Sequence, residues 1–521
     1  MEQRIKLAKS IKDIKILLIS VNNLWKYSNV GIDQIAGYMR LKGYNVDVLY
    51  HHKKIDYNEV ISKLSLDYDI YGFSVNSSNC SCCLSLANFI KEKKPTAITV
   101  FGGGFPTRYY REIFEKSQAI DYVTLGDGEL PFERLLQNIY FRDNLSMSNN
   151  VVTVGEYENK IPYCNSQINY FPVYDYYLKD KKKRNARKEY CIQSKNNICT
   201  GKCSFCTERK GPVVYKDISH IITEIEYVAK TFGIKKFFFT DDNILDPNND
   251  YAKQRIELLC LEIQKLDLNL VFKCYIKSIS LSDTEEDNKL LKLMSETGFK
   301  TIFVGIESGN EADLKLYNKH VTLSDNYTIL KLLKRHGIVA QIGFINFNPY
   351  STLQTIRENY DFLTKIEMSN LFMYVCSYLR VYKYTDIYNK MQSDGLLMDR
   401  YDYLDDRSLY DFIDPDAKKI FDFMYDYMFT RVRNFDFEFD WLYSFFMECK
   451  KINPDAIAFE DEFNSLQQSQ VKAIREFFYI LFVQNDIERC RDKVDSFLTF
   501  FENLQPRFFE IHRELLDMYL G

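Results

Sequence analysis

Three cysteines within eight residues, Cys199-Thr-Gly-Lys-Cys203-Ser-Phe-Cys206, constrain this chain more than any other feature. Thiolates are soft ligands for iron–sulfur clusters or zinc, and three so close serve one centre only where the backbone curls around it. A closed zinc site takes four ligands in recurring Cys or His pairs, and no second pair follows. Cys191 lies eight residues upstream and His220 fourteen downstream, at no familiar zinc spacing. A bacterial ferredoxin run needs a fourth cysteine and a trailing proline. Ordinary reduced thiols are the remaining alternative, and the tight spacing weighs against them. The loop therefore reads as the seat of a four-iron cluster, with Cys199, Cys203 and Cys206 as ligands and one iron left open.

A chain of 521 residues is long enough for about three domains with substantial cores. Its 68 basic and 72 acidic residues nearly cancel, giving no global field for nucleic acid or a membrane surface. The thirteen cysteines are otherwise scattered, as thiols of a reducing compartment are. The N-terminal apolar run is too short for a secretory segment, and 477–483 is far short of the ~20 residues of a membrane helix. These features predict a soluble cytoplasmic protein with no nucleic acid and no membrane partner.

Along the first 145 residues, KILLISV, NVDVLY, YDIYGFSV, AITVFGGG and DYVTLG alternate with helical stretches. That pattern predicts a doubly wound parallel sheet whose ligand site lies beyond the strand C-termini. Those ends carry Ser74 and Asn76, then Gly102, Gly103, Gly104 and Thr107, then Gly126, Gly128 and Glu129. Glycines there permit positive φ and close approach of a large flat ligand. Tight turns are the plain alternative, since Gly102-x-Gly104-x-x-Thr107 lacks the third glycine of a dinucleotide fingerprint. Cys80, Cys82 and Cys83 read as small buried residues at a helix start.

Residues 146–190 read as a polar linker ending in the basic run Lys181, Lys182, Lys183, Arg184 with Arg187 and Lys188, a solvated stretch. From 191 to 384 the strands KKFFFTDDN, LVFKCYIKS, KTIFVGIES, IVAQIGFINF and NLFMYVCSYL alternate with helices, the repetition of a partial (β/α) barrel with its chemistry at the strand C-termini. Asp241-Asp242-Asn243 lacks the spacing of an EF-hand. Residues 385–521 read as a helical domain containing an alternating FDFEFDW stretch, helices near 471–484 and 506–520, and an aromatic stripe of Ile420, Phe423, Met424, Tyr427 and Met428 that belongs to a core.

The cluster loop, with Phe205 before its last cysteine, resembles that of the radical S-adenosylmethionine (SAM) superfamily. GFSVNSSN, GGGFPT and LGDGE resemble the cobalamin-binding domain that precedes the core in one branch of it. The resemblance covers residues 10 to 380 and implies three cofactors: a [4Fe-4S] cluster, SAM and cobalamin. Cobalamin would contact Ser74, Asn76, Gly102, Gly103, Gly104, Thr107, Gly126, Gly128 and Glu129. No Asp-x-His-x-x-Gly is present, and His51 and His52 lack its surroundings, so cobalt would bind without a histidine. The loop Trp25-Lys26-Tyr27 would cover one corrin face or serve in packing.

For SAM, the resemblance implies contacts from Phe205, Asp241, Glu307, Ser308, Gln341 and Phe344. Gly305-Ile306-Glu307-Ser308-Gly309, followed by Leu316 and Lys319, matches the family's GIESG segment, with Glu307 the foremost polar contact; a salt-bridged barrel carboxylate is the alternative. QIGFINFNP departs from the pattern at Asn346-Phe347-Asn348, where many members have a glycine. The implied activity is methylation of an unactivated carbon through a 5'-deoxyadenosyl radical and methylcobalamin, on a small molecule, a natural product or a peptide. SAM would serve both as radical source and as donor for remethylation, with an external reductant such as flavodoxin or ferredoxin. A non-methylating oxidative or rearrangement reaction, or a corrinoid-binding or sensing protein without catalysis, are the alternatives.

Overall fold

The computed structural model of the protein describes residues 10–520 apart from 23–26, 54, 142–148, 180–187, 197, 208–210, 248, 367–370, 399–409 and 430–435. The chain divides into two compact units, the first built mainly from Met1–Ile198 and Gly211–Lys236, the second from Cys199–Lys210, Phe237–Tyr401 and Arg407–Gly521.

In the first unit the apolar runs become β1 (Lys15–Asn22), β2 (Asn45–His52), β3 (Ile70–Ser74), β4 (Ile98–Gly102) and β5 (Tyr122–Thr124). All pair in parallel, in the order β2-β1-β3-β4-β5, and β6 (Val151–Val152) closes the edge antiparallel to β5. Six consecutive residues of β1 are buried, as befits a strand covered on both faces. Helices Val30–Leu41 and Glu129–Phe141 supply Ile32, Ala36, Met39, Phe132, Leu135 and Leu136 to a core shared with Ile16, Leu18 and Val100. Strand order reverses between β1 and β3, and a sheet of this kind opens its ligand crevice there, at the strand C-termini.

Much of the expected linker is built into this unit. It supplies β6, the short helix Asp175–Leu178 and β7 (Glu189–Ile192). Asp175 pairs with Arg40 at 2.7 Å, and the Val173 amide donates to the Asp33 carbonyl at 3.0 Å. Lys181, Lys182, Lys183, Arg184 and Arg187 lie outside the described residues, as do Trp25 and Lys26. Lys188 corrects the solvated reading: it is buried, with its ammonium 3.9 Å from the Tyr176 ring centroid, a cation–π contact that offsets lost hydration. Cys80 and Cys83 are buried in helix Cys80–Lys93, and burial pushes the Cys80 thiol up to about 12.

The second unit holds β8 (Lys236–Phe239), β9 (Val271–Lys277), β10 (Phe299–Glu307) and β11 (Val339–Phe344), side by side in the order β11-β10-β9-β8. Helices Asp250–Lys265, Glu285–Thr297, Leu323–Arg335 and Leu353–Lys365 alternate with these strands, each opened by an Asn or Thr side chain that accepts from the first turn: Asn249, Thr284, Thr322 and Thr352. The result is the expected partial barrel of βα repeats. Phe272 joins three of its strands, with ring centroids 6.0 Å from Phe239 and 5.1 Å from Phe299.

One expectation fails in this unit. NLFMYVCSYL is not a strand: 371–375 is a helix that buries Tyr374 and Val375, with the Tyr374 hydroxyl accepting from the Ile342 amide at 3.3 Å. A short apolar run has no decisive period, and packing chose between the alternatives. The FDFEFDW stretch, in the domain expected to be helical, falls partly in helix Asp436–Ile452, where Leu442, Phe445, Phe446 and Cys449 recur at helical spacing and are buried. The remaining C-terminal helices are Asp386–Ser393, Pro415–Met424, Glu460–Phe478 and Ile487–Leu520, the last two containing most of the stretches expected at 471–484 and 506–520. Ile420, Phe423, Met424 and Met428 are buried, as a core stripe should be. Among the described residues no helix is long and apolar enough to cross a membrane.

Candidate functional site

The thiol loop, 199–206, has no regular secondary structure and is held through its backbone. The Ser204 amide donates to the Tyr317 carbonyl at 2.9 Å, and its hydroxyl to that of Leu316 at 2.8 Å. The Ser204 carbonyl accepts from the Ile387 amide at 3.0 Å, and the Lys202 carbonyl from the Asn318 side chain at 2.7 Å. Phe205 sets its ring edge-on to Tyr317, with centroids 5.4 Å apart. Cys199, Cys203 and Cys206 are half-buried and form no disulfide. Among the described residues no three Cys, His, Asp or Glu side chains converge at single-ion spacing. A cubane spreads its irons over separate corners, so each thiolate meets its own metal and the set need not share one point. The donor set and its loop fit such a cluster.

Two ammonium groups flank the thiols. Lys277 ends β9 and donates to the Thr200 hydroxyl at 3.4 Å, while Thr200 itself donates to Asp246 at 3.0 Å. Burial pushes the Lys277 ammonium down, against the opposing pull of Cys199 and Cys203. Lys319 pairs with Glu307 at 3.2 Å, both nearly buried. Burial works against its charge, but Glu307 and the Cys203 thiolate outweigh it and raise the Lys319 pKa.

Glu307 stands where β10 leaves its register with β11, at φ 67, a conformation an L residue rarely adopts. Its carboxylate fills a bay cleared by two glycines: a Cβ on Gly305 would lie 2.8 Å, and one on Gly343 3.0 Å, from its oxygens. Gln341 shares a strand face with Gly343 by two-residue alternation, so both look toward this bay. Phe344 points the other way, its ring stacked on Phe362 with centroids 6.1 Å apart, so that only its backbone lies on the strand beside Gln341. Asp241, after β8, is fully buried.

Ser308 belongs to a buried polar knot rather than to an open surface. Its hydroxyl lies 2.8 Å from Asn359 Oδ1 and 3.0 Å from Asp313 Oδ2. Asn310 and Asn348 donate to the Asp313 carboxylate at 2.8 and 2.9 Å, and Asn348 also reaches the Tyr317 hydroxyl at 2.9 Å. Burial raises the Asp313 pKa against these hydrogen bonds. The knot runs from the end of β10 through Tyr317 to the ring of Phe205 in the thiol loop.

In the first unit the predicted residues gather at the C-terminal ends of β3, β4 and β5. Ser74 accepts from the Asn29 side chain at 2.9 Å; the Asn76 amide donates to Asn79 at 2.8 Å. Thr107 donates to the Gly103 carbonyl at 2.8 Å and accepts from the Gly126 amide at 3.0 Å, stapling two turns together. Glu129 is buried and accepts from the Tyr170 hydroxyl. The glycines serve mostly the chain itself. Gly103, at φ 114, leaves room for the Val75 carbonyl, and Gly126, at φ 81, for that of Tyr163. Gly102 and Gly128 likewise clear Thr124 and Ile35, while a Cβ on Gly104 would face open space. His52 engages both ring nitrogens, Nε2 with the Ser20 hydroxyl at 2.8 Å and Nδ1 with the Tyr27 carbonyl at 3.0 Å. The geometry thus sets glycine backbone at the strand ends, open at Gly104, and leaves no disengaged ring nitrogen on His52.

Sequence reasoning missed Lys277, Asp246 and Asn359. Lys277 alone carried a signal, as the last residue of a barrel strand. Asn79, buried, clamps the sheet's ends by donating to the Val21 carbonyl at 2.8 Å and that of Ser74 at 3.0 Å.

Two family models match: the B12 binding domain over residues 14–136 and the radical SAM superfamily over residues 194–363. The chain is 24% identical over 277 residues to the anaerobic magnesium-protoporphyrin IX monomethyl ester cyclase of Synechocystis sp., covering 52% of this chain and 54% of that protein, so it spans about half of that relative's length. Its fold is similar to that of OxsB, a cobalamin-dependent SAM radical enzyme with aqua-cobalamin and SAM bound, at a TM-score of 0.69, 16% identity, and coverage of 97% of this chain and 84% of that one. It also resembles the radical SAM methyltransferase TsrM of Kitasatospora setae, with tryptophan substrate and a SAM analogue bound, at a TM-score of 0.59, 17% identity and coverage of 74% and 79%. At such identities the likeness is one of fold.

Proposed function

Because the chain joins a B12-binding domain to a radical SAM domain, and so belongs to the cobalamin-binding branch of the radical SAM superfamily, we propose that it is an enzyme that methylates an unactivated carbon of a small-molecule or natural-product substrate. When bound, the cluster and SAM supply a 5'-deoxyadenosyl radical, and methylcobalamin supplies the methyl group. The chain's own part is to hold, orient and shield.

Cys199, Cys203 and Cys206 would hold the cluster, on a loop whose backbone is fixed from outside so that its thiols stay available. This is the observation that carries the proposal. Glu307 and Gln341, on the side of β10 and β11 cleared by Gly305 and Gly343, would orient the polar end of SAM, with Asp241 and the backbone about Ser308 beside them. Gly104, with Ser74, Asn76 and the stapled turns at Gly103, Thr107 and Gly126, would seat the corrin. His52, with both nitrogens engaged, would not ligate cobalt. A small external one-electron donor of flavodoxin or ferredoxin type would complete the system, in the reducing cytoplasm that suits thirteen cysteines.

The test is anaerobic purification with cobalamin, analysis of cobalt, iron and sulfide, and turnover with SAM. Methylation yields S-adenosylhomocysteine together with 5'-deoxyadenosine. Cys203→Ala should lose the cluster's absorption and all SAM cleavage, and a variant that keeps both would overturn the assignment. A second reading, a ring-forming oxidative reaction without methyl transfer, draws support from the likeness to a cyclase; it predicts 5'-deoxyadenosine with no S-adenosylhomocysteine.

A further inference from the structure

We propose that Lys277 is a redox-tuning residue, its ammonium biasing the cluster held by Cys199, Cys203 and Cys206 toward the one-electron reduced state. The inference rests on the cluster reading above and concerns a side chain that no motif marks.

Three observations carry it. Lys277 is fixed in place: it is the last residue of β9, and its amide donates to Ser280 Oγ at 3.1 Å where the chain turns at Ser278–Ser280. Its ammonium flanks the thiol loop closely. A Cβ on Gly201 would lie 2.8 Å from Lys277 Nζ and 3.4 Å from Cys199 Sγ, so the missing side chain of that glycine is what lets cation and thiol share one niche. Finally, its ammonium has no direct ion-pair partner among the described residues, and the nearest acid to act on it, Asp246, does so from a distance. Lys319 is neutralised by Glu307 at 3.2 Å, whereas among the described residues no carboxylate lies within ion-pair distance of Lys277. Thr200 stands between it and Asp246, donating to the carboxylate and accepting from the ammonium.

Reduction by a one-electron donor of flavodoxin or ferredoxin type brings one electron and no proton, so the cluster and its thiolates gain one unit of negative charge. A nearby unpaired cation stabilises that product more than the oxidised state, and more strongly in a half-buried niche than in water. A neutral ion pair such as Lys319 with Glu307 contributes little by comparison. Lys277 and Gly201 thus form a matched pair: a cation delivered by the barrel and a gap left for it in the loop.

The test is a potentiometric titration of the anaerobically purified, cluster-loaded protein, followed by absorption and electron paramagnetic resonance. Lys277→Met and Lys277→Gln should retain wild-type iron and sulfide but shift the reduction equilibrium toward the oxidised state at least tenfold, about 59 mV for one electron. Lys277→Arg should stay near the wild-type midpoint. An unchanged midpoint in a fully loaded neutral variant overturns the proposal. So does failure of both neutral variants to load iron while Lys277→Arg loads it, since the side chain then serves to hold the loop. A wild-type protein without iron would instead overturn the cluster reading itself.

Discussion

Glu307 concentrates two costs in one residue, a left-handed backbone and a nearly buried charge. Both are tolerable because Lys319 answers the charge and two glycines clear the space. Removing one partner strands the other. Glu307→Gln should destabilise the protein by about 3 kcal/mol in urea unfolding, because the Lys319 ammonium is left unpaired in a poorly hydrated site. Glu307→Gln combined with Lys319→Met should recover most of that loss. A double variant as unstable as the sum of its parts would show that the pair does not hold the bay together.

Among the elements, the knot around Asn359 does what no single strand can. Its Oδ1 accepts from Ser308 Oγ at 2.8 Å and the Gly309 amide at 2.6 Å, so helix Leu353–Lys365 is bolted to the end of β10. Asn359→Ala orphans the buried Gly309 amide, while the Ser308 hydroxyl keeps Asp313, and should cost about 2 kcal/mol. Hydrogen exchange at Gly309 should accelerate more than at distant strands; uniform exchange would refute a local role. Such contacts explain what the residues alone reveal. The strand C-termini and the glycine turns were legible because they follow from local period and spacing, and the Glu307 segment because it resembles a family motif. The knot was not, since Asn359 lies 50 residues from Gly309 and no periodicity links them. The glycines of the first unit were legible as turns, but not that most of their missing side chains make room for their own chain. Helix 371–375 escaped because a five-residue apolar run suits either structure.

At the scale of the whole molecule, stability depends on proton bookkeeping that two buried groups nearly cancel. Burial raises Asp33 from 3.8 to about 7, against hydrogen bonds from Ser28 and Tyr50, and burial lowers His52 from 6.5 to about 4. Asp33 holds its proton when folded, so its contribution is full below 3.8 and is lost as pH rises through 7. His52 stays neutral when folded, so its contribution is full above 6.5 and is lost as pH falls through 4. Between those limits the slopes oppose each other at up to ~1.4 kcal/mol per pH unit. His52→Gln should therefore lose stability relative to wild type as pH rises from about 4 to 6.5, and Asp33→Asn should gain it. Parallel pH profiles of urea midpoints for variant and wild type would contradict this.

The anchoring of the thiol loop has a consequence for how the protein is made. The partners of Lys202 and Ser204 are Leu316, Tyr317, Asn318 and Ile387, all more than a hundred residues downstream. Chains are synthesised from the N-terminus, and upstream parts fold first. While the ribosome is still reading toward residue 387, the three cysteines have emerged without the carbonyls and amides that will order them. Iron delivered during that interval would meet a tether with no shape, so maturation belongs after translation, when the last of the loop's anchors has folded into place.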